Sequence, residues 1–301
     1  MPNLKAYKEK KLICPEAPHT LFIEPTNCCN LACVFCPNRI QTRTREYMSM
    51  PLFRFILNEA KEAGVKKINL FFLGESLLHP QIFKMLGLIR ESGIHCRLNT
   101  NATLLTRSRA KKLITNPPDE LTISFDGATK EIYEKLREKG SYQQTKENIQ
   151  HLLETRATSS IPFQINIEMI ETPETAAHFD SFEAEMKKFH PDTITRKTFR
   201  NWLGTIEGQS QPETPKYICS YPWKAMAVLV DGTAVPCCVD YDGRFPLGHI
   251  TEGLMELWNG EEMTHLRKYL IETQEKGLDH ECECHQLCGQ CDIANQDGEH
   301  S

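Results

Sequence analysis

From Thr20 onward the chain alternates two patterns. Short apolar runs of near-twofold period give way to longer stretches whose apolar positions recur every three or four residues. The short runs "LFIEP" (21–25), "KINLFFL" (67–73), "IHCRLN" (94–99), "LTISF" (121–125), "FQINIEM" (163–169) and "TITRKTF" (193–199) read as strands. Between them the spacing predicts helices over 51–63, 80–91, 106–115, 129–137, 143–156 and 174–189, with Pro51 and Pro80 at starts and Gly93 at an end. Six β-α units in succession imply a parallel sheet. Periodicity does not choose between a doubly wound sheet and a partial barrel, and in both the ligands gather at the C-terminal ends of the strands. The polar loops follow that rule: "TNCCN", "GES", "TNA" and "DG" come after the first four strands.

Near residue 205 the pattern changes. "GTIEGQSQPETP" reads as a linker, and "AVLVDGTAVPCC" as two strands joined at Asp231-Gly232, a hairpin signal. The helical "TEGLMELWNGEEMTHLRKYLIET" breaks at Asn259-Gly260, and "ECECHQLCGQC" follows. The organisation expected is an extension over 1–19, an α/β domain over 20–204 and a smaller module over 205–301.

Composition narrows the class. With 301 residues and 40% hydrophobic content the chain can bury a core without covalent staples. Thirteen cysteines, an odd number set in tight clusters, fit metal ligation in a reducing compartment better than disulfides. The basic N-terminus lacks an apolar signal core and no apolar run reaches the length of a membrane span, so a cytoplasmic protein with no membrane partner is expected. A net charge of -5 without a basic block argues against nucleic acid.

The chemistry sits in "EPTNCCNLACVFCPN", where Cys29, Cys33 and Cys36 have C-x3-C-x2-C spacing and Cys28 stands outside it. A closed tetrahedral zinc site or closed 4Fe-4S cluster takes four protein ligands, so three cysteines leave one metal position open. A structural zinc loop is the alternative reading of the same residues. "CNLACVFC" after the first strand, with "LGES" after the second, resembles the radical S-adenosylmethionine (radical SAM) superfamily. That resemblance implies a partial (β/α)6 TIM-like barrel. It also implies a 4Fe-4S cluster on the trio, whose fourth iron is chelated by the methionine end of S-adenosylmethionine.

The resemblance extends residue by residue over the first two hundred positions. Gly74 and Glu75 stand where the family holds the methionine amino group, although Leu73 replaces the usual first glycine. "LNTNA" places Asn99 and Thr100, with Asn101, near the cofactor sugar. Ser124 in "ISFDG" and Arg137 in "LREKGSY" match contacts to the methionine carboxylate, a task suited to a guanidinium fork. Asp126-Gly127 reads equally as turn chemistry.

Cys219, Cys237 in "DGTAVPC", and Cys288 and Cys291 in "LCGQC" resemble the twitch or SPASM-type extension, which implies one auxiliary 4Fe-4S cluster in a hairpin-plus-helix module. A zinc ribbon is the alternative. Cys238, Cys282, Cys284 and His285 are left over, as spectators or a weak second metal site.

The family's chemistry implies reductive cleavage of S-adenosylmethionine and hydrogen-atom abstraction from a C–H bond by the 5′-deoxyadenosyl radical. The electron would come from a donor such as flavodoxin or ferredoxin. The short overall length and "CPN" after the trio resemble family members that oxidise a secondary alcohol of an aminocyclitol or sugar, with Arg200 in "FRNWLG" orienting the hydroxyl beside Asn201 and Trp202. Peptide modification and sugar epimerisation, with Cys96 or Cys238 as hydrogen donor, are the other enzymatic readings. An iron-sulfur or zinc scaffold is the non-enzymatic one.

Overall fold

The computed structural model describes residues 3–206, 218–276, 283–289 and 291. After a short helix α1 (Leu4–Lys8) come β1 (Thr20–Ile23), α2 (Met50–Ala63), β2 (Lys67–Asn69), α3 (Ile82–Ser92), β3 (His95–Thr100), α4 (Arg107–Thr115), β4 (Glu120–Ser124), α5 (Lys130–Leu136), α6 (Tyr142–Arg156), β5 (Gln164–Glu171), α7 (Phe179–Lys187) and β6 (Thr193–Thr198). Local sequence sets their ends. Ser49, Thr106 and Ser141 accept from backbone N–H groups in the first turns of α2, α4 and α6, and Gly64, at φ 82°, closes α2. The helix expected over 174–189 begins five residues late, because Pro173 lies in a turn where the Thr175 hydroxyl donates to Ile170 O at 2.6 Å.

Strands β1 to β6 pair in parallel in sequence order. Strand alternation then separates two faces. Leu21 and Ile23, Ile68, Leu98, Leu121 and Ile123, and Ile165 and Ile167 are buried in one core with Ile56 of α2, Met85 of α3, Leu152 of α6 and Phe182 of α7. Each such side chain contributes about 1.5–3 kcal/mol by leaving water. The opposite face carries Phe22, Asn69, Arg97, Asn99, Thr122, Ser124, Asn166 and Glu168, polar along most of β2 to β5.

The later module continues this sheet. After α8 (Tyr221–Lys224), β7 (Ala225–Val228) lies parallel to β1, and β8 (Thr233–Val235) and β9 (Gly248–His249) add antiparallel, giving the order β6-β5-β4-β3-β2-β1-β7-β8-β9. The hairpin expected at Asp231-Gly232 is present. Ala225, Ala227, Leu229 and Val235 join Phe22 in a second apolar cluster on the polar strands' face, so that face is polar on one side and apolar on the other. Helices α9 (Leu254–Trp258), α10 (Glu261–Lys276) and α11 (Glu283–Cys288) complete the described chain. Most of the expected linker and Cys282 lie outside the described residues, as does the His285 side chain.

Candidate active site

The three spaced cysteines occupy the loop leaving β1, which its neighbours hold rigidly. Asn27 is fully buried; its side chain donates to Thr44 O at 2.7 Å and accepts from Glu46 N at 2.9 Å, while its carbonyl accepts from Asn38 and Arg45. On the other side Ala32 N and Val34 N donate to Glu138 O and Leu136 O, each at 3.0 Å, tying the loop to the end of α5. A Cβ at Gly74 would lie 2.2 Å from Thr26 O and 2.6 Å from Cys28 O, so only glycine lets the loop after β2 approach this closely. Glu75 N then donates to Cys28 O at 2.8 Å.

The Glu75 carboxylate is buried against that loop. It accepts from Leu77 N at 3.1 Å, Asn101 N at 2.7 Å and the Thr100 hydroxyl at 2.8 Å. Burial raises its pKa and the three donors pull the other way. Thr100 thus serves the site through Glu75. Asn99 lies on the sheet's opposite face, where its buried Oδ1 has no hydrogen-bond partner among the described residues; Asn69 Oδ1 is in the same state one strand away. Asn101 joins Asn30 of the cysteine loop at 3.1 Å.

Arg137 is buried at the end of α5, with Nε and Nη2 donating to Asp126 Oδ2 and Nη1 3.9 Å from Cys33 Sγ. Burial opposes its charge, and Asp126 and the Cys33 thiol outweigh burial, so the guanidinium stays protonated. Asp126 Oδ1 accepts from Ile170 N at 2.6 Å. Asp126 is therefore the counter-ion of Arg137, a role that turn-like "DG" gave no sign of. Ser124 is half-buried, next to Glu168 in register.

Burial pushes the Cys29 thiol up to about 11 and Cys36 up to about 12, and raises Cys33 against the pull of Arg137. Cys29 and Cys33 both act electrostatically on Cys36, so the three are neighbours whose ionisation is mutually unfavourable. A cationic iron centre reverses that balance, since metal coordination deprotonates a thiol outright. The described cysteines are all free thiols. Among the described residues no three His, Cys, Asp or Glu side chains converge on a single metal ion, and a cubane does not require it because each thiolate binds its own iron. The donor set fits the cluster.

The second set also assembles. Burial raises Cys237 well above the usual range, with Cys238, Cys288 and Cys291 adding to it, and raises Cys288, with Cys291, Cys219 and Cys284 adding. Cys219 is pushed up to about 11, chiefly by burial. The set thus draws together the residues just before α8, the end of the β7–β8 hairpin, the last residue of α11 and Cys291 beyond it. Two of the leftover cysteines are close by: Cys284 is fully buried, and Cys238 hydrogen-bonds the Tyr221 phenol. Lys197 of β6 and Arg200 just past it act electrostatically on Cys238, which follows β8. Cys96 is buried in the main core.

Residues 23–179 match the Radical SAM superfamily, and residues 219–292 match the SPASM iron-sulfur cluster-binding domain. The chain is 32% identical over 157 residues to the AdoMet-dependent heme synthase of Methanosarcina barkeri, covering 50% of this chain and 42% of that protein. It is 26% identical over 209 residues to the mycofactocin maturase MftC of Mycobacterium tuberculosis, covering 69% and 52%. The chain thus spans about half the length of the curated relatives it matches. Among solved structures, BtrN in complex with AdoMet and 2-DOIA superposes with a TM-score of 0.62 at 17% identity, covering 92% of this chain and 93% of that one. Streptococcus suis SuiB bound to the precursor peptide SuiA gives 0.71 at 16%, covering 87% and 68%. The fold is the partial barrel of these proteins with its C-terminal iron-sulfur region. No helix among the described residues is long and apolar enough to cross a membrane. With the open cysteine trio, the parallel barrel and the matched domains in agreement, the chain belongs to the radical SAM superfamily.

Proposed function

We propose that the protein oxidises a secondary alcohol of a sugar- or aminocyclitol-like substrate. The cluster on Cys29, Cys33 and Cys36 and its S-adenosylmethionine supply, when bound, a 5′-deoxyadenosyl radical that takes the carbinol hydrogen atom. The chain's own residues bind and orient. Glu75, in its cage of donors, presents a carboxylate toward the methionine ammonium, Gly74 lets that segment reach the loop, and Arg137 and Ser124 meet the carboxylate. Asp126 fixes the Arg137 fork in place. Asn99 offers its unpartnered oxygen to a ribose hydroxyl. Arg200 would donate to the alcohol oxygen and favour loss of its proton to solvent, and Cys219, Cys237, Cys288 and Cys291 would hold a cluster able to accept the second electron.

The observation that carries this reading is Arg200, two residues past the end of β6, whose charge acts on the Cys219 and Cys238 thiols. A hydroxyl held by Arg200 would lie on the side of the second cysteine set. A peptide substrate is the second reading, supported by the maturase relative and by the precursor peptide bound to SuiB.

Anaerobic reconstitution, an iron count and 5′-deoxyadenosine release on reduction with S-adenosylmethionine test the proposal. About eight irons per chain are expected. Deoxyadenosine is expected to vanish in the Cys29→Ala, Cys33→Ala and Cys36→Ala variants. Turnover with aminocyclitols and simple polyols, giving a ketone, supports the alcohol reading; modification of a peptide with no polyol turnover replaces it. Zinc in place of iron removes the enzymatic reading altogether.

A further inference from the structure

Glu24 follows β1 directly, in step with the face that carries Phe22, and its carboxylate is fully buried. It accepts two hydrogen bonds from Arg43, Nη1 to Oε2 at 2.6 Å and Nη2 to Oε1 at 2.9 Å, and a third from Val230 N at 3.0 Å. Arg43 Nε donates to Tyr241 O at 2.9 Å. Beside them Thr42 donates to Asp242 twice, from its N–H at 2.8 Å and its hydroxyl at 2.9 Å.

These contacts add a side-chain tie to the β1–β7 ladder and extend it to segments far apart in the chain. Residues 38–46 follow Cys36 directly and are pinned to Asn27 beneath the trio loop. Tyr241 and Asp242 lie three and four residues after Cys238, and Val230 lies in the turn of the β7–β8 hairpin. Glu24 itself precedes Cys28 and Cys29. One buried ion pair therefore grips the loop of the first cysteine set and the loop of the second at once. Its bidentate geometry fixes direction as well as distance. A lone buried carboxylate here would be costly, and the three donors satisfy it.

We propose that Glu24 and Arg43 are positioning residues that set the separation between the two cysteine sets. The inference rests on the two-cluster reading above. Among the described residues Arg43 bonds Glu24 and the Tyr241 carbonyl and none of the seven cysteines, so it would act through the two loops. A pair serving stability alone would, when lost, change the melting temperature and leave the magnetic interaction between the clusters as it was.

The test uses reconstituted full-length holoenzyme, reduced anaerobically, with iron counting and power saturation of the cluster electron paramagnetic resonance signal. A nearby second paramagnet speeds relaxation steeply with proximity. Arg43→Met is expected to keep about eight irons per chain and to change the half-saturation power several-fold. Arg43→Lys cannot span both Glu24 oxygens and the Tyr241 carbonyl and should show a smaller change. Asp242→Ala, which removes the acceptor of Thr42, should move it in the same direction by less. Wild-type saturation in a fully loaded Arg43→Met overturns the proposal. If that variant loses iron, wild-type saturation in both Arg43→Lys and Asp242→Ala overturns it instead. A wild-type protein with about four irons fails at the earlier step and removes the two-cluster reading with this one.

Discussion

At the scale of single residues, the site is a set of groups whose cost is borne by specific neighbours. Glu75 is buried with three donors aimed at two oxygens, so Glu75→Gln places an amide NH2 against at least one N–H. That conflict costs about 1–3 kcal/mol. The variant should show a lowered denaturation midpoint together with loss of most deoxyadenosine formation; an unchanged midpoint would contradict the caged geometry. The trio makes a second prediction. In the iron-free protein Cys29 and Cys36 ionise near 11 and 12, well above an ordinary thiol, so both stay protonated at neutral pH. Iodoacetamide alkylation, followed by mass spectrometry of the peptides, should be slow for both at pH 7 and accelerate only toward strongly alkaline pH. Rapid labelling at pH 7 would show that burial does not govern these thiols.

At the scale of elements, the N-terminal segment is a clasp on the C-terminal helices. The indole N–H groups of Trp223 and Trp258 donate to Lys11 O at 2.7 Å and Glu16 O at 3.0 Å, and Tyr7 donates to Ile218 O at 2.8 Å. Asn259 takes both backbone groups of Cys14, accepting from its N–H at 2.8 Å and donating to its carbonyl at 2.9 Å. Arg267 lies between the two indoles, 4.5 Å from the Trp258 ring, and donates to Leu12 O and Pro222 O. Asn259→Ala leaves two partly buried backbone groups without their partner and should cost about 1–3 kcal/mol, read as a shift in urea midpoint. Proteolysis should then cut first within residues 3–19. None of this was legible in the sequence, where Asn259-Gly260 reads as a helix break and the first nineteen residues as an extension. The strands and helices were legible because apolar period reports local geometry. The first cysteine trio was legible because its spacing lies within one loop; of the second set only the Cys288–Cys291 spacing is local, and Cys219 and Cys237 were readable only through the family resemblance. Asp126, Glu24 and Arg43 were not, since each is defined by a partner that only folding brings near.

At the scale of the molecule, the decisive feature is the continuity of the sheet. A parallel barrel that stops at β1 leaves an unpaired strand edge and the Phe22 face bare, a template for association. Here β7 covers that edge over Thr20 to Ile23, and Ala225, Ala227, Leu229 and Val235 close over Phe22. The later module is therefore a structural wall of the barrel as well as the carrier of the second cysteine set. Its removal should do more than delete a cluster. A chain cut after residue 206 loses the β1–β7 ladder, the Val230 donor to Glu24 and the Tyr241 acceptor for Arg43, leaving a buried ion pair half-satisfied beside the trio loop. The expected outcome is a protein that associates or precipitates on expression and takes up little iron even under anaerobic reconstitution. The quadruple variant Cys219→Ser, Cys237→Ser, Cys288→Ser and Cys291→Ser in the full-length chain is the control. It keeps the ladder, so it should stay monodisperse by size-exclusion chromatography and bind about four irons. A truncated chain that is monodisperse with the same iron content would show that the barrel closes on its own and that β7 is dispensable to it.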